Sequence, residues 1–236
     1  TSPIISMKVP RDQVIAFGIY TTSNNTLKLS AQLFPLYPEE SRIVKLAFYI
    51  DNTWKVVQTE QVNEIGWSVL FRIDNWEVNK NIKYKLIHGK KAFFEGLIRK
   101  DPINKAEIKL AALSCNSNKD RGNRDEYVRN INTLDPDLIF FAGDQSYDHK
   151  EHTAAWIKFG LQFRELFRDR PCITIPDDHD IGQGNLWGEG GKKSMRKDGN
   201  DGGYFFHPEY VKMVERAQTA HLPDPYHKEE LDQGIK

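Results

Sequence analysis

The chain has little of three things that would reveal its class directly: cysteine, net charge and long apolar runs. Two cysteines among 236 residues exclude a disulfide-rich scaffold and a four-cysteine zinc module. The 33 basic and 33 acidic residues cancel, so the sequence carries no electrostatic footprint for nucleic acid or an anionic membrane. The longest apolar run, Leu138–Ala142, is too short to cross a bilayer. The remaining composition, 39% hydrophobic and 28% charged, is that of a globular chain with room for two domains.

Residues 1–106 predict an all-β domain. Seven short runs rich in β-branched and aromatic residues are separated by turn residues at the 8–12-residue spacing typical of a β-sandwich. We therefore expect an amino-terminal β-sandwich of the fibronectin type III or immunoglobulin-like kind. The seven runs are Val14–Tyr20, Thr26–Leu33, Arg42–Ile50, Trp54–Thr59, Gly66–Ile73, Ile82–Leu86 and Phe93–Ile98.

Residues 107–236 alternate strand patterns with helix patterns. Short apolar runs predict three buried strands, and the segments between them have helical periodicity. The order strand, helix, strand, helix, strand implies right-handed crossovers and a parallel sheet. The predicted strands are Ile108–Ser114, Leu138–Ala142 and Cys172–Ile175, and the predicted helices are Arg124–Leu134, Thr153–Arg168 and, after the sheet, Pro208–His221.

The helical patterns also place apolar side chains on one face of each helix. The second helix has an apolar face formed by Trp156, Phe159, Gly160, Phe163, Leu166 and Phe167, and the first has one formed by Tyr127, Val128, Ile131 and Leu134. We expect His149 and His152 on an exposed face and His88 on a hairpin surface. Cys115 and Cys172 fall at opposite ends of parallel strands, beyond the reach of a disulfide.

Ligand-type side chains follow all three predicted parallel strands. These strand ends read Ser114-Cys115-Asn116, Gly143-Asp144-Gln145-Ser146-Tyr147-Asp148 and Asp177-Asp178-His179-Asp180. The first two have ordinary readings when taken alone: a turn, a small buried thiol or a packing tyrosine. The third is harder to explain in this way, because three carboxylates around an imidazole are unfavourable in an ordinary core. Together they bring carboxylates, a thiol, a phenol and an imidazole to one rim of the sheet, where carboxylates would repel one another without a cation. The pattern therefore predicts a metal site, and the mixture of thiolate, phenolate and oxygen donors suits iron(III) together with a hard cation.

The three strand ends, taken in order, resemble the PhoD-like alkaline phosphatases of the metallophosphoesterase (calcineurin-like) superfamily. The residues that carry the resemblance are Ser114-Cys115, Gly143-Asp144-x-x-Tyr147 and Asp177-Asp178-His179-Asp180, and the segment His221–Tyr226 is similar as well. The resemblance covers about residues 108–182. It implies the first part of a four-layer α/β/β/α metallophosphoesterase domain over residues 107–236, preceded by the β-sandwich domain over residues 1–106.

The resemblance also implies a role for each site residue. Cys115 and Tyr147 would bind iron(III), and Asp144 would bridge it to a second metal, calcium, held by Asp178. His179 would protonate the leaving alkoxide or steady the phosphoryl oxygens. Three further residues would support these ligands through hydrogen bonds or accessory metal contacts: Asn116, Asp177 and Asp180.

The implied activity is metal-dependent hydrolysis of a phosphate monoester or diester by an activated hydroxide. The alternatives are a hydrolase acting on another ester or anhydride, and a non-catalytic β-sandwich module that binds carbohydrate or protein beside a degenerate hydrolase domain. The superfamily completes its site with further His and Asp ligands that have no counterpart here. We therefore expect the carboxyl-terminal part of the catalytic domain, on the same or a separate chain, as a partner.

Two further expectations concern location and substrate attraction. The family role and the absence of an initiator Met at Thr1 favour an extracytoplasmic protein, periplasmic or secreted. The glycine-rich segment 182–203 contains Lys192, Lys193, Arg196 and Lys197. It is expected either to overhang the site and attract phosphate or to be a solvated loop.

Overall fold

A computed structural model of the chain describes residues 2–117, 122–148, 150–182, 192–197 and 201–226. Its first seven strands are β1 (Ile15–Ser23), β2 (Thr26–Leu33), β3 (Ile43–Ile50), β4 (Thr53–Gln61), β5 (Ser68–Asp74), β6 (Ile82–His88) and β7 (Ala92–Ile98). They form two antiparallel sheets, ordered β1-β2-β5 and β4-β3-β6-β7. Each of the seven predicted runs overlaps one of these strands.

The two antiparallel sheets pack face to face around aromatic side chains. Tyr20 of one sheet and Tyr84 of the other are fully buried, and their rings meet edge to face with centroids 6.4 Å apart. The ring of Phe94 packs against Tyr84 with a centroid distance of 6.3 Å. This packing of two sheets through their inner faces is the arrangement of a β-sandwich.

A third, parallel sheet follows in the chain. Its strands are β8 (Leu110–Leu113), β9 (Leu138–Ala142) and β10 (Cys172–Ile175), in the spatial order β10-β9-β8, and the helices are α1 (Arg124–Leu134), α2 (His152–Phe167) and α3 (Pro208–Thr219). The parallel pairing and the helix positions agree with the sequence pattern. Helix α1 begins where the Asn123 side chain accepts a hydrogen bond from the Asp125 N–H, and it ends at the left-handed Asp135 before Pro136.

Helix α2 lies between the sandwich and the parallel sheet. The Phe141 ring on β9 packs against Phe159 and Phe163 of α2, with centroids 4.8 and 4.9 Å away. On its other side α2 contacts β1, where the ring centroids of Phe17 and Trp156 are 5.5 Å apart. All these rings belong to one continuous hydrophobic cluster, to which both the sandwich and the helix contribute. The domain boundary near residue 106 stays a prediction.

Several predicted exposures were wrong. His88 is buried, and its Nε2 lies 2.7 Å from the Ser41 carbonyl oxygen. His152 is also buried, stacked nearly parallel to Trp156, whereas His149 lies outside the described residues. On α1, Val128 and Ile131 are buried, whereas Tyr127 and Leu134 are 43% and 65% exposed.

The other sequence expectations for this region concern thiols, membrane spans and the basic segment. Cys115 and Cys172 are both free thiols. Among the described residues, no helix is both long and apolar enough to cross a membrane. Of the segment 182–203, only residues 182, 192–197 and 201–203 are described, and there Lys193 pairs with Tyr204 in an isolated β-bridge. The expectation that this segment overhangs the site lies largely outside the described residues.

Candidate metal centre

The loops after β8 and β9 run side by side. Cys115 follows β8, has a left-handed backbone (φ 58°), and donates its N–H to the Gly143 carbonyl oxygen at 3.3 Å. The next residue, Asn116, donates its N–H to the Asp144 carbonyl oxygen at 2.8 Å. These two backbone hydrogen bonds fix the exposed thiol of Cys115 beside the second strand end, as parallel-strand geometry predicts.

Asp144 is the centre of the cluster. Its Oδ2 accepts a hydrogen bond from the Tyr147 hydroxyl at 2.8 Å and lies 3.7 Å from the Cys115 Sγ. Its Oδ1 is buried and has no hydrogen-bond partner among the described residues. A buried carboxylate oxygen without a partner is costly in a folded protein, so this atom is available to a bound cation.

Gly143 allows the third strand end to approach Asp144. Its φ is 90°, and a Cβ at this position would lie 2.5 Å from the Cβ of Asp177. A larger residue would therefore clash as well as strain the backbone. The glycine before Asp144 is thus required by the packing of two loops against each other.

Asp178 and His179 complete the close group. One ligand-type atom from each of Asp144, Asp178 and His179 lies within 4.8 Å of the other two. The His179 Nε2 is 4.0 Å from the Asp178 Oδ2, and the His179 ring packs on Tyr147 with centroids 4.3 Å apart. Asp177 is exposed at the rim and accepts the Asp178 N–H at 2.9 Å.

Asp180 is a buried residue that connects the loop after β9 with the loop after β10. It is 3% exposed, and its carboxylate accepts the backbone N–H groups of Gln145 and Ser146, each at 3.3 Å, and of Asp177 at 3.0 Å. Asp180 thus holds the backbone on both sides of the carboxylate pair Asp144 and Asp178, as a supporting residue would.

Asn116 supports the first loop. Its side-chain N–H groups donate to the Gln145 carbonyl oxygen at 3.1 Å and to the Gln162 Oε1 at 2.9 Å. Its Oδ1 accepts the Nε–H of Arg124 at 2.6 Å. Sequence reasoning missed Arg124, Gln145 and Gln218, because none belongs to a spaced motif; only the position of Gln145 directly after Asp144 was a signal.

The electrostatics of the cluster favour a cation. Burial raises the pKa of Asp144, against the lowering effect of the Tyr147 hydrogen bond. Burial raises the pKa of Asp180 to about 7, against the hydrogen bonds it accepts. Burial also raises the pKa of Tyr147, with further increases from hydrogen bonds to Cys115 and Asp144. These acids resist ionisation when no positive charge is near, and a bound cation would reverse the effect.

The donor set fits a metal ion. A thiol, a phenol, two carboxylates and an imidazole converge at the carboxyl ends of the strands, around a carboxylate oxygen that has no hydrogen-bond partner among the described residues. Beside them lies an open cleft of about 570 Å³, lined in part by Cys115, Asn116, Arg124 and Tyr147. The arrangement is suited to binding cations next to a space that admits a small ligand.

The comparisons with known proteins agree with this fold. No family model and no curated protein matches the sequence. Among solved structures, the chain is similar to that of PhoD, with a TM-score of 0.67 and 17% identity, over 94% of this chain and 48% of the PhoD chain. The chain therefore has a PhoD-like fold, rich in sheet with few helices, and it spans about half the length of the PhoD chain. A Paenibacillus sp. cycloisomaltooligosaccharide glucanotransferase, complexed with cycloisomaltoheptaose, is similar over 63% of this chain and 25% of its own, but at 11% identity and a TM-score of 0.24 it carries no argument.

Proposed function

We propose that this chain carries the metal-binding rim of a phosphoric ester hydrolase of the alkaline phosphatase D kind. The observation that carries the proposal is Asp144, whose buried Oδ1 has no hydrogen-bond partner in the described structure while thiol, phenol, carboxylate and imidazole groups surround the residue. The PhoD-like fold supports the same reading. A module that only binds carbohydrate or protein has no use for such a cluster.

The proposed ligands divide between two cations. Cys115 and Tyr147 would hold iron(III), because thiolate and phenolate are its donors in this set. Asp144 would bridge to a calcium ion, which Asp178 would also bind through oxygen. When bound, the cations would supply activation of a hydroxide and neutralise charge on the phosphoryl group.

The remaining residues position groups and move a proton. His179 would donate a proton to the leaving alkoxide oxygen, since its ring is partly exposed and its orientation is fixed by packing on Tyr147. Asp180 and Asn116 would hold the ligand loops through the hydrogen bonds described above. Asp177, exposed at the rim, would make an accessory metal contact or hydrogen bond.

An exposed apolar face of the parallel sheet is evidence that a further segment packs on it. Parallel sheets are ordinarily covered on both faces, and here Phe141 and its neighbours face the helices. The opposite face is entirely apolar, with Ala112, Phe140 and Ile173 side by side in register, and Leu110 and Ile175 at its ends are 55% and 41% exposed. The PhoD chain is about twice as long as the matched region. The proposed cover is the carboxyl-terminal part of the catalytic domain, on the same or a separate chain, which would also add the missing ligands.

The substrate would be a small phosphate ester.

The resemblance favours an extracytoplasmic location, periplasmic or secreted. Fractionation of the source cells, followed by immunodetection of the chain, would test that location. Detection only in the cytoplasmic fraction would contradict it.

Metal content and hydrolysis test the proposal together. Elemental analysis of the purified protein is expected to show iron and calcium. The protein together with its carboxyl-terminal part is expected to hydrolyse p-nitrophenyl phosphate or bis-p-nitrophenyl phosphate, and chelation is expected to stop the reaction. Asp144→Asn should lose both metal and activity. Asp125→Asn, the same substitution at an exposed position on α1, should retain both.

Two results would contradict the proposed function. The first is an Asp144→Asn protein with undiminished metal content and activity. The second is a wild-type protein that binds no metal, which would favour the alternative of a non-catalytic binding module.

A further inference from the structure

We propose that Arg124 is a phosphate-binding residue of this site, holding non-bridging oxygens of the ester next to the metal ligands. The inference rests on the proposed function and deepens it, because no sequence motif assigns this arginine. Three observations support it: its position in the cleft, the hydrogen bonds that fix its guanidinium, and the neutral character of its partners.

Arg124 lines the same cleft as the candidate ligands. It is the first residue of α1, and its side chain borders the open space of about 570 Å³ that Cys115 and Tyr147 also border. Among the described residues that line this space, it is the one with a permanent positive charge. An anionic group that entered the cleft would meet the guanidinium and the proposed metals from neighbouring sides.

Hydrogen bonds fix the guanidinium relative to the ligand loop. Its Nε donates to the Asn116 Oδ1 at 2.6 Å, and one terminal nitrogen donates to the Ser117 carbonyl oxygen at 2.9 Å. Asn116 directly follows Cys115, and its backbone N–H binds the Asp144 carbonyl oxygen. The arginine is therefore held on the same short segment that positions the thiol and the central carboxylate. Such preorganisation lowers the entropic cost of binding an anion.

The partners of Arg124 leave its charge uncompensated within the described part of the chain. Its hydrogen-bond partners are the Asn116 amide oxygen and the backbone carbonyl oxygens of Ser117 and Gly122, and its Cζ lies over the neutral Tyr127 ring, 5.5 Å from the ring centroid. No ion pair among the described residues includes Arg124. By contrast, Arg99 and Arg170 both pair with Asp135. A guanidinium held by neutral acceptors keeps its full attraction for phosphate oxygens, which it binds with two parallel N–H groups.

Binding of inorganic phosphate to the metal-loaded protein tests the inference without relying on turnover. Calorimetric titration should show that Arg124→Met weakens phosphate binding about 10- to 100-fold, as loss of charged hydrogen bonds does. Arg124→Lys should recover part of the loss. Arg129→Met is the matched control, because Arg129 lies on the same helix but is exposed and pairs with Glu126; it should bind phosphate as the wild type does. Metal content should be the same in all variants.

Kinetics with a phosphate ester give a second readout. Arg124→Met should raise KM by a factor similar to its loss of phosphate affinity. Phosphate binding in Arg124→Met equal to that in Arg129→Met would overturn the inference while the proposed function stands. A loss of metal from Arg124→Met would also overturn it, since the role of the arginine would then be to hold the loop. A wild-type protein that, together with its carboxyl-terminal part, binds metal but neither phosphate nor ester would overturn both.

Discussion

Gln218 on α3 and Gln145 beside Asp144 lie 73 residues apart in the sequence, yet the Gln145 Nε2 donates to the Gln218 Oε1 at 3.0 Å. The same Gln145 amide also donates to the Ile175 carbonyl oxygen at the end of β10, at 2.8 Å. Helix α3, the end of the third strand and the loop that carries Asp144 are therefore joined in one buried polar network. A substitution on α3 that breaks this network should therefore alter the position of Asp144 and the metal affinity of the site.

The strongest test of this network is Asp180. Asp180→Ala removes the acceptor for three backbone N–H groups, so the loops carrying Asp144 and Asp178 should loosen. We expect metal affinity to fall about 10- to 100-fold, the usual effect of removing a residue that orients ligands. Asp180→Asn keeps one acceptor oxygen and should lose less. Competition titration with a chelator measures the affinities, and equal affinity in wild type and Asp180→Ala would refute the supporting role.

The link from α3 can be tested in the same way. Gln218→Leu removes the amide that contacts Gln145, and metal affinity should fall in the same direction as for Asp180→Ala. Thr219→Ala is a matched control on the next residue, because in the described structure its hydroxyl donates to the Glu215 carbonyl oxygen of its own helix. If both variants bind metal alike, α3 has no part in positioning the site.

The two thiols should differ sharply in reactivity. In metal-free protein, Cys115 is exposed and should react quickly with a disulfide reagent, whereas Cys172 is fully buried and burial raises its pKa. One thiol per chain should therefore be labelled in the folded protein and two after denaturation. Metal loading should protect the first thiol, and Cys115→Ala should abolish the fast reaction. Fast labelling that metal does not slow would contradict Cys115 as a ligand.

His221 should make stability depend on pH. Its ring is buried, its Nε2–H donates to the Cys172 carbonyl oxygen at 3.0 Å, and burial lowers its pKa to about 3. Between about pH 6 and pH 3 the unfolded chain therefore binds a proton that the folded chain does not, and stability is lost as the pH falls. The stability difference between wild type and His221→Gln should shrink by up to about 1.4 kcal/mol per pH unit.

Urea denaturation at a series of pH values measures this difference. Other titrating groups, including the buried His152, whose pKa burial also lowers, are present in both proteins and cancel. A difference that stays constant over this pH range would show that His221 is not held neutral in the folded protein.

Gly160 tests the contact between α2 and the sandwich. A Cβ at Gly160 would lie 1.8 Å from the Phe17 Cε1, so Gly160→Ala should force the two elements apart. We expect a loss of about 1–3 kcal/mol in the free energy of unfolding, as for other overpacked cores. Phe17→Leu in the same chain should recover part of it. If the changes in unfolding free energy caused by the two substitutions are additive in a double-mutant cycle, residues 160 and 17 are not in steric contact.

The rim of the site could be predicted from sequence because strand ends are a local signal. Apolar runs ending in Cys115, Asp144 and Asp178 needed only the rule that parallel strands present their carboxyl ends together. The network of Gln145 and Gln218 could not be predicted, because a buried amide has no periodicity and its partner is distant in the chain. His88 and His152 were wrongly placed on the surface for the same reason: their burial depends on tertiary partners and not on neighbours in sequence.

The left-handed backbone at Cys115 and Asp144 has a consequence for how this protein would respond to selection. Both residues hold positive φ angles, 58° and 55°, that glycine adopts freely and other residues adopt at a cost of about 1 kcal/mol or more. Glycine at either position should therefore raise the melting temperature while deleting a proposed ligand. Selection for heat resistance alone would therefore favour glycine at these two positions and remove the proposed metal ligands. Any stabilised variant should be analysed for bound metal as well as for its melting temperature.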